Sequence, residues 1–346
     1  MKKTMKCVIK AAPKKGCLSL VERPIPRPGP NDVLIKVHAV AICGTDVHIS
    51  EWAPFASDRM KPPCIIGHEF SGEVVERGKL VEGIEIGDHV SAETHLVCHM
   101  CEPCRNNDFH VCSHTKTIGL SRHGALAEYI VIPAENAVVF DKSVSWEILS
   151  LMEPYIAAVH AVTTFSVSGR SVAIIGCGPI GAMAVGIAKA CGAANVIALE
   201  PNEMRLQKGG EMGADAMINP IGKDLAEAVC AVNGGKPVDI VIDFSGNVQA
   251  IGQALTYIRP AGKIVILGLS ERNLDIRLDS FVYSGLTLQG IAGRRMYIDW
   301  ETGKGLLKAG LSLAPIITHV LPMAEYERGI ELMKTGQCCK CVLTIP

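Results

Sequence analysis

The sequence has few aromatic residues and almost no net charge. Aromatic side chains make up 5% of the 346 residues, and the formal net charge is −1. Stacking platforms for single-stranded nucleic acid need aromatic side chains, and binding to nucleic acid or to an anionic membrane needs an excess of basic residues. We therefore expect neither a nucleic-acid partner nor a membrane partner for this chain.

The sequence also has no uninterrupted lipid-like run. Its most apolar stretch, 171–188, contains four glycines and a proline and is followed by Lys189. A membrane-spanning helix needs about 20 predominantly apolar residues, so a buried strand followed by a tightly packed helix is the better interpretation. The composition, 48% hydrophobic and 20% charged, is that of a globular protein. Fourteen scattered cysteines suit a reducing compartment, which predicts a cytoplasmic location.

The chain has two regions with different sequence patterns. Up to about residue 150, short alternating runs rich in valine, glycine and proline predict a mostly-β domain. Strand-like and helix-like segments then alternate, which predicts a parallel sheet covered by helices on both faces. The pattern becomes mixed again towards the C-terminus. We expect one mostly-β domain at 1–154 together with 294–346, and one α/β domain at 155–293.

The motif GCGPIG follows the apolar strand SVAII and opens a helix, as a dinucleotide-binding turn requires. Its glycines permit a tight turn, close approach of pyrophosphate and close helix–strand packing. Glu200 closes the next strand, where an acidic residue binds the adenosine-ribose hydroxyls, and this favours NAD over NADP. Arg205 could accommodate a 2′-phosphate, pack on adenine or simply be solvated, and a non-binding turn is the competing interpretation of the motif. The candidate cofactor-binding residues are Gly176, Gly178, Pro179, Ile180, Gly181, Glu200 and Arg205.

Four cysteines, Cys98, Cys101, Cys104 and Cys112, lie in the stretch CHMCEPCRNNDFHVC. Thiolates at such short spacings can converge on one tetrahedral zinc, and four sulfur ligands leave no open position. The quartet therefore predicts a structural zinc site. A redox or iron–sulfur site is the alternative, although the usual iron–sulfur spacings differ.

Three further cysteines, Cys338, Cys339 and Cys341, lie near the C-terminus. They look like another metal site, but small buried side chains on a terminal strand are the interpretation that we favour.

A second possible metal site is scattered along the first 153 residues. Cys43 begins the segment CGTD, His68 and Glu69 lie in GHE, and Glu153 precedes a proline. A cysteine, a histidine and a carboxylate could hold a catalytic zinc with an open position. Each residue alone is ordinary, and the hypothesis depends on their presence beside the cysteine quartet and the dinucleotide motif.

In this order, CGTD, GHE, the cysteine quartet and GCGPIG resemble the zinc-dependent medium-chain dehydrogenase/reductase superfamily over essentially the whole chain. The resemblance implies a GroES-like, mostly-β catalytic domain and a Rossmann domain with a doubly wound parallel sheet that binds NAD. Cys43, His68 and Glu153 match the catalytic zinc positions of the superfamily. Glu69 matches a carboxylate that ligates the metal in some members, and the quartet matches the structural zinc.

Within the superfamily, the segments CGTDVHISEW and GIAGRRMYIDW, and His95, are similar to the threonine-oxidising branch. One departure from that branch is 155–157, which reads Tyr-Ile-Ala where Gly-Asn-Ala is usual. The resemblance implies oxidation of L-threonine to 2-amino-3-oxobutanoate, or of a related 3-hydroxy amino compound. The alternative is a polyol dehydrogenase of the sorbitol or xylitol type, and a non-catalytic NAD-binding protein ranks last.

The resemblance also implies roles for individual side chains. Zinc would lower the pKa of the substrate hydroxyl, and hydride would pass to the nicotinamide. Thr45 and His48 would relay the proton through the cofactor ribose to solvent, and His95 would contact the substrate. A structural role is the alternative for both histidines. Relatives are commonly homotetramers, so we expect an oligomer.

Overall fold

The computed structural model describes residues 3–346, which form two compact units. Of the described residues, one unit comprises 3–153 and 317–346, and the other comprises 154–316. Within the described residues, no helix is both long and apolar enough to cross a bilayer.

The first unit begins with a series of short strands and very short helices, as its alternating sequence predicts. Its strands up to residue 140 are β1 (Thr4–Lys10), β2 (Leu18–Pro24), β3 (Asp32–Ala41), β4 (Cys64–Ile65), β5 (Glu69–Arg77), β6 (His89–Ala92), β7 (His95–Leu96), β8 (Lys116–Thr117), β9 (Tyr129–Pro133) and β10 (Ala137–Phe140). Its helices are α1 (Gly44–Glu51), α2 (Pro54–Ser57), α3 (Glu102–Arg105) and α4 (Trp146–Ser150). Two 3-10 turns cover Phe109–Val111 and Ala134–Asn136.

The second unit alternates strands with helices. In chain order its elements are α5 (Met152–Thr163), β11 (Ser171–Ile175), α6 (Pro179–Ala190), β12 (Asn195–Leu199), α7 (Glu203–Glu211), β13 (Ala216–Ile218), α8 (Leu225–Val232), β14 (Val238–Asp243), α9 (Val248–Ala254), β15 (Ile258–Ile266), α10 (Leu278–Tyr283), β16 (Thr287–Gly290), α11 (Ile298–Lys308) and a 3-10 turn, Ala314–Ile316. All strand pairs in its sheet are parallel, in the order β13-β12-β11-β14-β15-β16. This is the Rossmann order, which reverses between β11 and β14, where such sheets bind ligands.

The last 30 residues return to the first unit. They form β17 (Ile317–Pro322), a 3-10 turn (Met323–Glu325), α12 (Tyr326–Lys334) and β18 (Lys340–Thr344). The main sheet has the order β10-β6-β5-β3-β18-β17, and β9 also pairs with β3. Smaller sheets, β2-β1-β4 and β7-β8, complete this mostly-β unit. The predicted fold class, a GroES-like unit plus a Rossmann unit, is confirmed.

The second unit extends beyond the predicted limit of residue 293. Tyr155 at its start is fully buried and donates a hydrogen bond from Oη to the carbonyl of Gly303 in α11, over 3.0 Å. A Cβ on Gly303 would overlap the side chain of Ile156, so the missing side chain makes room for α5. Helix α11 therefore packs within this unit. The domain limits expected from the sequence, at residues 154 and 294, stay a prediction of where the metal-binding and NAD-binding functions divide.

Strand β16, at the edge of the Rossmann sheet, has no strand signal in the sequence. It is short, reads Thr-Leu-Gln-Gly, and its residues are half-buried or exposed. An edge strand lacks the continuous apolar run of a strand that is covered on both faces, so periodicity gives no signal for it.

Three glycines bring two loops of the first unit into direct backbone contact just before His68. Gly67 has φ +86°, in the left-handed region, and side chains added at Gly119 or Gly124 would overlap the Gly67 carbonyl oxygen. The amide of Gly124 donates to Ile65 O over 2.7 Å. This contact fixes the backbone that carries His68.

We expect Gly124→Ala to lower the free energy of unfolding by about 1–3 kcal/mol, because the added methyl group has no space against the Gly67 backbone. The measurement is the urea-unfolding midpoint by far-UV circular dichroism. Gly252→Ala is the matched control, since its Cβ would meet no atom within 4 Å and helix α9 would gain up to about 1 kcal/mol. Equal midpoints for the two variants would contradict the close contact.

Candidate active site

Cys43 lies at the start of helix α1, and the helix itself fixes it. Its backbone amide donates to Asp46 Oδ2 over 2.9 Å, which closes a reciprocal cap at the first turn. The Cys43 Sγ lies 3.7 Å from Thr45 Oγ1. A helix N-terminus favours negative charge, since its free N–H groups and dipole are positive. The local structure therefore holds the Cys43 sulfur at the first turn of α1.

His68 and Glu69 stand at the start of β5, beside Cys43. The candidate ligand atoms of Cys43, His68 and Glu69 all lie within 4.8 Å of one another. His68 and Glu69 are buried, whereas Cys43 is partly exposed. The three side chains were predicted from distant segments, and the fold brings them together.

The electrostatics of this group fit a cation. Burial lowers the pKa of His68, but Cys43, Asp46 and Glu153 outweigh it and raise that pKa to about 10. Asp46 is buried, and its Oδ1 has no hydrogen-bond partner within residues 3–346. Buried anionic groups without a matching positive charge are costly. A divalent metal would supply that charge, and thiolate, imidazole and carboxylate are the donors that zinc takes.

Glu153 lies next to this group but outside the closest three side chains. Its Oε1 accepts a 3.4 Å hydrogen bond from Thr94 Oγ1. Its charge raises the pKa values of both His68 and Glu69. The structure thus places Glu69 nearest to Cys43 and His68, while the sequence had put Glu153 in the primary set and Glu69 as the alternative.

Lys340 is a residue of this site that sequence reasoning missed. Its Nζ donates to both carboxylate oxygens of Glu69, over 3.0 and 2.7 Å, and to Ile42 O over 3.1 Å. The side chains of Lys340 and Glu69 are 2% and 0% exposed. Burial raises the pKa of Glu69 although Lys340 lowers it, and Glu69 keeps the pKa of Lys340 above its usual value against the effect of burial. A charged residue inside an apolar terminal strand was the available signal.

The two predicted histidines outside the metal group have different surroundings. His48 lies in the last turn of α1, is exposed, and has its ring 6.1 Å from that of Phe55. His95 is half-buried, and its amide donates to Glu93 Oε1 over 2.9 Å. Thr45 and His48 are three residues apart on one helix face. The geometry gives His48 access to solvent and leaves His95 beside Thr94, which touches Glu153.

The cysteine quartet forms the second group of candidate metal ligands. The four Sγ atoms lie within 4.8 Å of one another, with Cys112 3.6 Å from Cys98 and 3.8 Å from Cys101. A backbone hydrogen bond from Cys104 lowers the pKa of Cys101 to about 6. Four convergent sulfurs without an open position fit a structural zinc.

The tail cysteines belong to neither group of candidate ligands. Within residues 3–346, only the two groups above bring three or more metal-binding side chains together. Cys338, Cys339 and Cys341 are fully buried, and burial raises the pKa of Cys341 to about 12. They are small apolar side chains of the core, which is the interpretation that the sequence favoured.

In the second unit, a cavity of about 510 Å³ lies at the carboxyl ends of the central strands. Gly176 and Gly178 line it, and Gly176 has φ +85°. A Cβ on Gly178, the N-cap of α6, would meet no atom within 4 Å, whereas one on Gly181 would overlap Gly176 O. The loop therefore leaves open space above the start of α6, where Pro179 and Ile180 form the first turn. Phosphate binds at such a helix N-terminus.

Glu200 and Arg205 line the same cavity. Glu200 accepts hydrogen bonds from the amides of Cys177 (2.8 Å) and Asn202 (3.0 Å), so the acid also orders the glycine loop. Arg205 Nε is buried and has no hydrogen-bond partner in residues 3–346. The same holds for the hydroxyl of Tyr257, a lining residue that the sequence did not indicate. Unsatisfied buried donors facing a cavity fit a polar ligand there.

Comparison with known proteins agrees with this arrangement. The alcohol dehydrogenase GroES-like domain family matches residues 29–142, and the zinc-binding dehydrogenase family matches residues 179–309. The first match covers every residue of both candidate metal groups but neither Glu153 nor Lys340. The second begins at the first turn of α6.

Curated relatives span the full chain. The L-threonine 3-dehydrogenase of Caldanaerobacter subterraneus subsp. tengcongensis is 48% identical over 342 residues, 98% of each chain. That of Pyrococcus abyssi is 43% identical over 348 residues, covering 100% of both.

Solved structures give the same result. The chain superposes on an alcohol dehydrogenase from E. coli CFT073 complexed with NADH (TM-score 0.90, 28% identity, 99% and 100% coverage). It also superposes on the 2R,3R-butanediol dehydrogenase from Bacillus subtilis (TM-score 0.89, 28% identity, 98% and 99% coverage). The chain belongs to the zinc-binding alcohol dehydrogenase family, with a GroES-like domain and an NAD-binding Rossmann domain.

Proposed function

We propose that this chain is an L-threonine 3-dehydrogenase, which oxidises the secondary hydroxyl of L-threonine or a related 3-hydroxy amino compound with NAD. The observation that carries the proposal is the convergence of a thiol, an imidazole and a carboxylate, from Cys43, His68 and Glu69, within 4.8 Å of one another. It occurs in a chain 48% identical to a curated L-threonine 3-dehydrogenase along its whole length.

Cys43 and His68, with Glu153 or Glu69, would hold a catalytic zinc, and the cysteine quartet would hold a structural one. When bound, the zinc acts as a Lewis acid on the substrate hydroxyl, and NAD accepts the hydride. The fully closed sulfur site has no position for substrate, so we assign it no chemistry. Of the two groups, only the one around Cys43 combines different types of ligand, and its Cys43 is partly exposed. We therefore assign the chemistry to that group.

The proton of the hydroxyl needs an acceptor and a way to solvent. Thr45 lies beside Cys43, and its hydroxyl can accept and donate at once. His48 lies on the same face of α1 and is exposed. An imidazole can both accept and donate a proton, so His48 can pass the proton to water. His95 is assigned to substrate contact because of its place beside Thr94.

NAD would occupy the cavity at Gly176, Gly178 and Glu200. The Glu200 carboxylate would accept hydrogen bonds from the ribose hydroxyls and repel a 2′-phosphate. Arg205 would pack on the adenine. We assign the metal chemistry to 1–154 with 294–346 and NAD binding to 155–293. This division is supported by the ligating side chains up to Glu153 and by a cavity lined between residues 175 and 257.

The test is an NAD-reduction screen with zinc-loaded protein, followed at 340 nm. We expect NADH formation with L-threonine and with close 3-hydroxy amino compounds, because the chain is 48% identical to a curated L-threonine 3-dehydrogenase over 342 residues. Turnover of sorbitol or xylitol with none of threonine would establish the polyol alternative. NADH binding without turnover of any alcohol would indicate that the chain is a non-catalytic NAD-binding protein.

Cys43→Ser and Cys230→Ser make a matched pair for the metal assignment. Cys43→Ser should lose one zinc per chain and nearly all turnover, a loss of about 10³-fold or more, while NADH binding stays measurable. Cys230 lies in helix α8 and belongs to neither ligand group, so Cys230→Ser should keep both zinc ions and full activity. Full activity in Cys43→Ser would refute the catalytic zinc.

The buried pair of Lys340 and Glu69 generates a stability prediction. Lys340→Met should lower the free energy of unfolding by about 3–5 kcal/mol, because Glu69 becomes a buried charge without a partner. Lys340→Met/Glu69→Gln should recover most of that loss. The measurement is urea unfolding of all three variants and the parent. Lys334→Met, which breaks an exposed pair with Glu51, is the control and should have little effect. No recovery in the double variant would show that the two charges do not act as a pair.

A homotetramer in the cytoplasm completes the proposal. Fourteen free cysteines suit a reducing compartment. In the described residues, β16 has a neighbour on one side only and presents free backbone groups at its edge. Exposed apolar side chains lie on β16 and the preceding α10, with Val282 65% and Tyr283 90% exposed. An edge strand beside apolar surface fits a second copy of the same edge across a two-fold axis.

Val282→Glu/Leu288→Lys should reduce the assembly to a smaller species, because charges would be buried in that contact. The measurement is mass by sedimentation or light scattering. Leu80→Lys/Ile86→Lys, two exposed positions in the first unit, is the control and should keep the parent mass. An unchanged mass in the α10–β16 variant would exclude this edge as the contact.

A further inference from the structure

Two adjoining cavities lie in the first unit and have no place in the proposed chemistry. Their volumes are about 540 and 620 Å³. They share Pro63, Arg122 and His123, so they adjoin along these residues. Each is within the size range of a small-molecule site, about 300–1,000 Å³. We call the two cavities together the basic cleft.

The charged side chains of the basic cleft are almost all positive. Six Lys and Arg residues line its two cavities: Arg23, Arg27, Arg59, Lys61, Lys116 and Arg122. Asp32 is its only carboxylate, and Asp32 Oδ2 already accepts a hydrogen bond from the Gly29 amide. None of the six cations has a carboxylate within salt-bridge distance in the described part of the chain. In a chain of net charge −1, this local excess of positive charge is a feature of the fold.

Arg122 and His123 lie where the two cavities meet. Arg122 is half-buried, and one guanidinium nitrogen donates to Val131 O over 3.1 Å, which fixes the side chain. His123 Nδ1 accepts a hydrogen bond from the Ile65 amide over 3.2 Å, which leaves its Nε2–H as a donor. Burial lowers the pKa of His123, and Arg23 and Arg122 lower it further. The positive charges of the cleft therefore disfavour protonation of His123.

The first of the two cavities also has an apolar wall. Met5, Ile9, Ile65, Tyr129 and Ile130 line it together with the basic side chains. Inorganic phosphate would use only the cations, whereas a ligand with an apolar body would also cover this wall. Arginine binds phosphate oxygens in a bidentate manner, which selects phosphate over a simple point charge.

We propose that the basic cleft binds an organic phosphate, a phosphate ester with an aromatic or aliphatic body, at a site separate from the dinucleotide cavity. The phosphate would lie against Arg122 and Arg23, and the body against Tyr129 and Ile65. Lys61 and Lys116 in the second cavity would take a further phosphate group. This site is independent of the proposed threonine activity.

The test is calorimetric titration of the full chain with 1-naphthyl phosphate, in protein saturated with NADH so that the dinucleotide cavity is filled. We expect one site per chain. Inorganic phosphate and 1-naphthol should each bind at least about tenfold more weakly, because each lacks one half of the recognised ligand. Arg23→Gln/Arg122→Gln should weaken 1-naphthyl phosphate binding about tenfold or more. Lys79→Gln/Arg272→Gln removes the same charge at exposed positions outside the cleft and should leave binding within about twofold.

Arg122 also donates a hydrogen bond to the backbone, so its replacement could destabilise the fold. If that variant is unstable, Arg23→Gln/Lys61→Gln tests the cleft, because it changes only exposed side chains. This second variant should also weaken the binding of 1-naphthyl phosphate. Equal binding by all variants would place the ligand elsewhere and overturn the proposal. The absence of saturable binding in the millimolar range would also overturn it. A change of oligomeric mass in the cleft variants, without ligand binding by the parent, would mean that a second copy covers the cleft.

Discussion

The ion pair between Glu69 and Lys340 is the interaction on which the metal-binding part of the first unit depends. A fully buried carboxylate is tolerated only with a partner of opposite charge and good hydrogen bonds, and Lys340 supplies both. Because Lys340 begins β18 and Glu69 begins β5, the pair ties the end of the chain to the strand that carries the candidate ligands. The C-terminal strand is therefore part of the candidate active site, and the charge of Lys340 restrains Glu69 beside Cys43.

How far the sequence predicts a site depends on how local the site is. The cysteine quartet spans 15 positions, so its spacing alone predicts convergence on one ion. The glycine loop is equally local, and its strand–turn–helix context could be read directly. Cys43, His68 and Glu153 come from separate segments, and only their resemblance to a family joined them. Lys340 lies 271 residues from its partner, and no short-range pattern encodes such a contact.

The fold shows the same limit. Buried parallel strands such as β11 and β14 have continuous apolar runs, and the sequence predicts them, whereas the exposed edge strand β16 has none. The extent of the second unit could not be predicted, because it depends on Tyr155 meeting a glycine in α11. The same contact explains the departure at 155–157: the bulk of Tyr155 is accommodated within its own unit, with its hydroxyl bonded to Gly303. A change of residue type in a family segment therefore does not by itself imply a change of substrate.

Positive and negative side chains of the first unit lie in different places. This limits which binding partners the net charge of the chain can exclude. The buried carboxylates of Asp46 and Glu69 lie in the group around Cys43 and His68, while six cations and one carboxylate line the basic cleft. Charges of opposite sign are therefore collected at two places in a chain of net charge −1. A net charge near zero argues against nucleic acid, because a long polyanion needs a broad basic surface. It says nothing against a small anion, which needs only two or three cations in a cavity of its own size. A near-neutral composition therefore argues only against partners that need a broad surface of one charge. Only the fold shows where a few charges of one sign lie together.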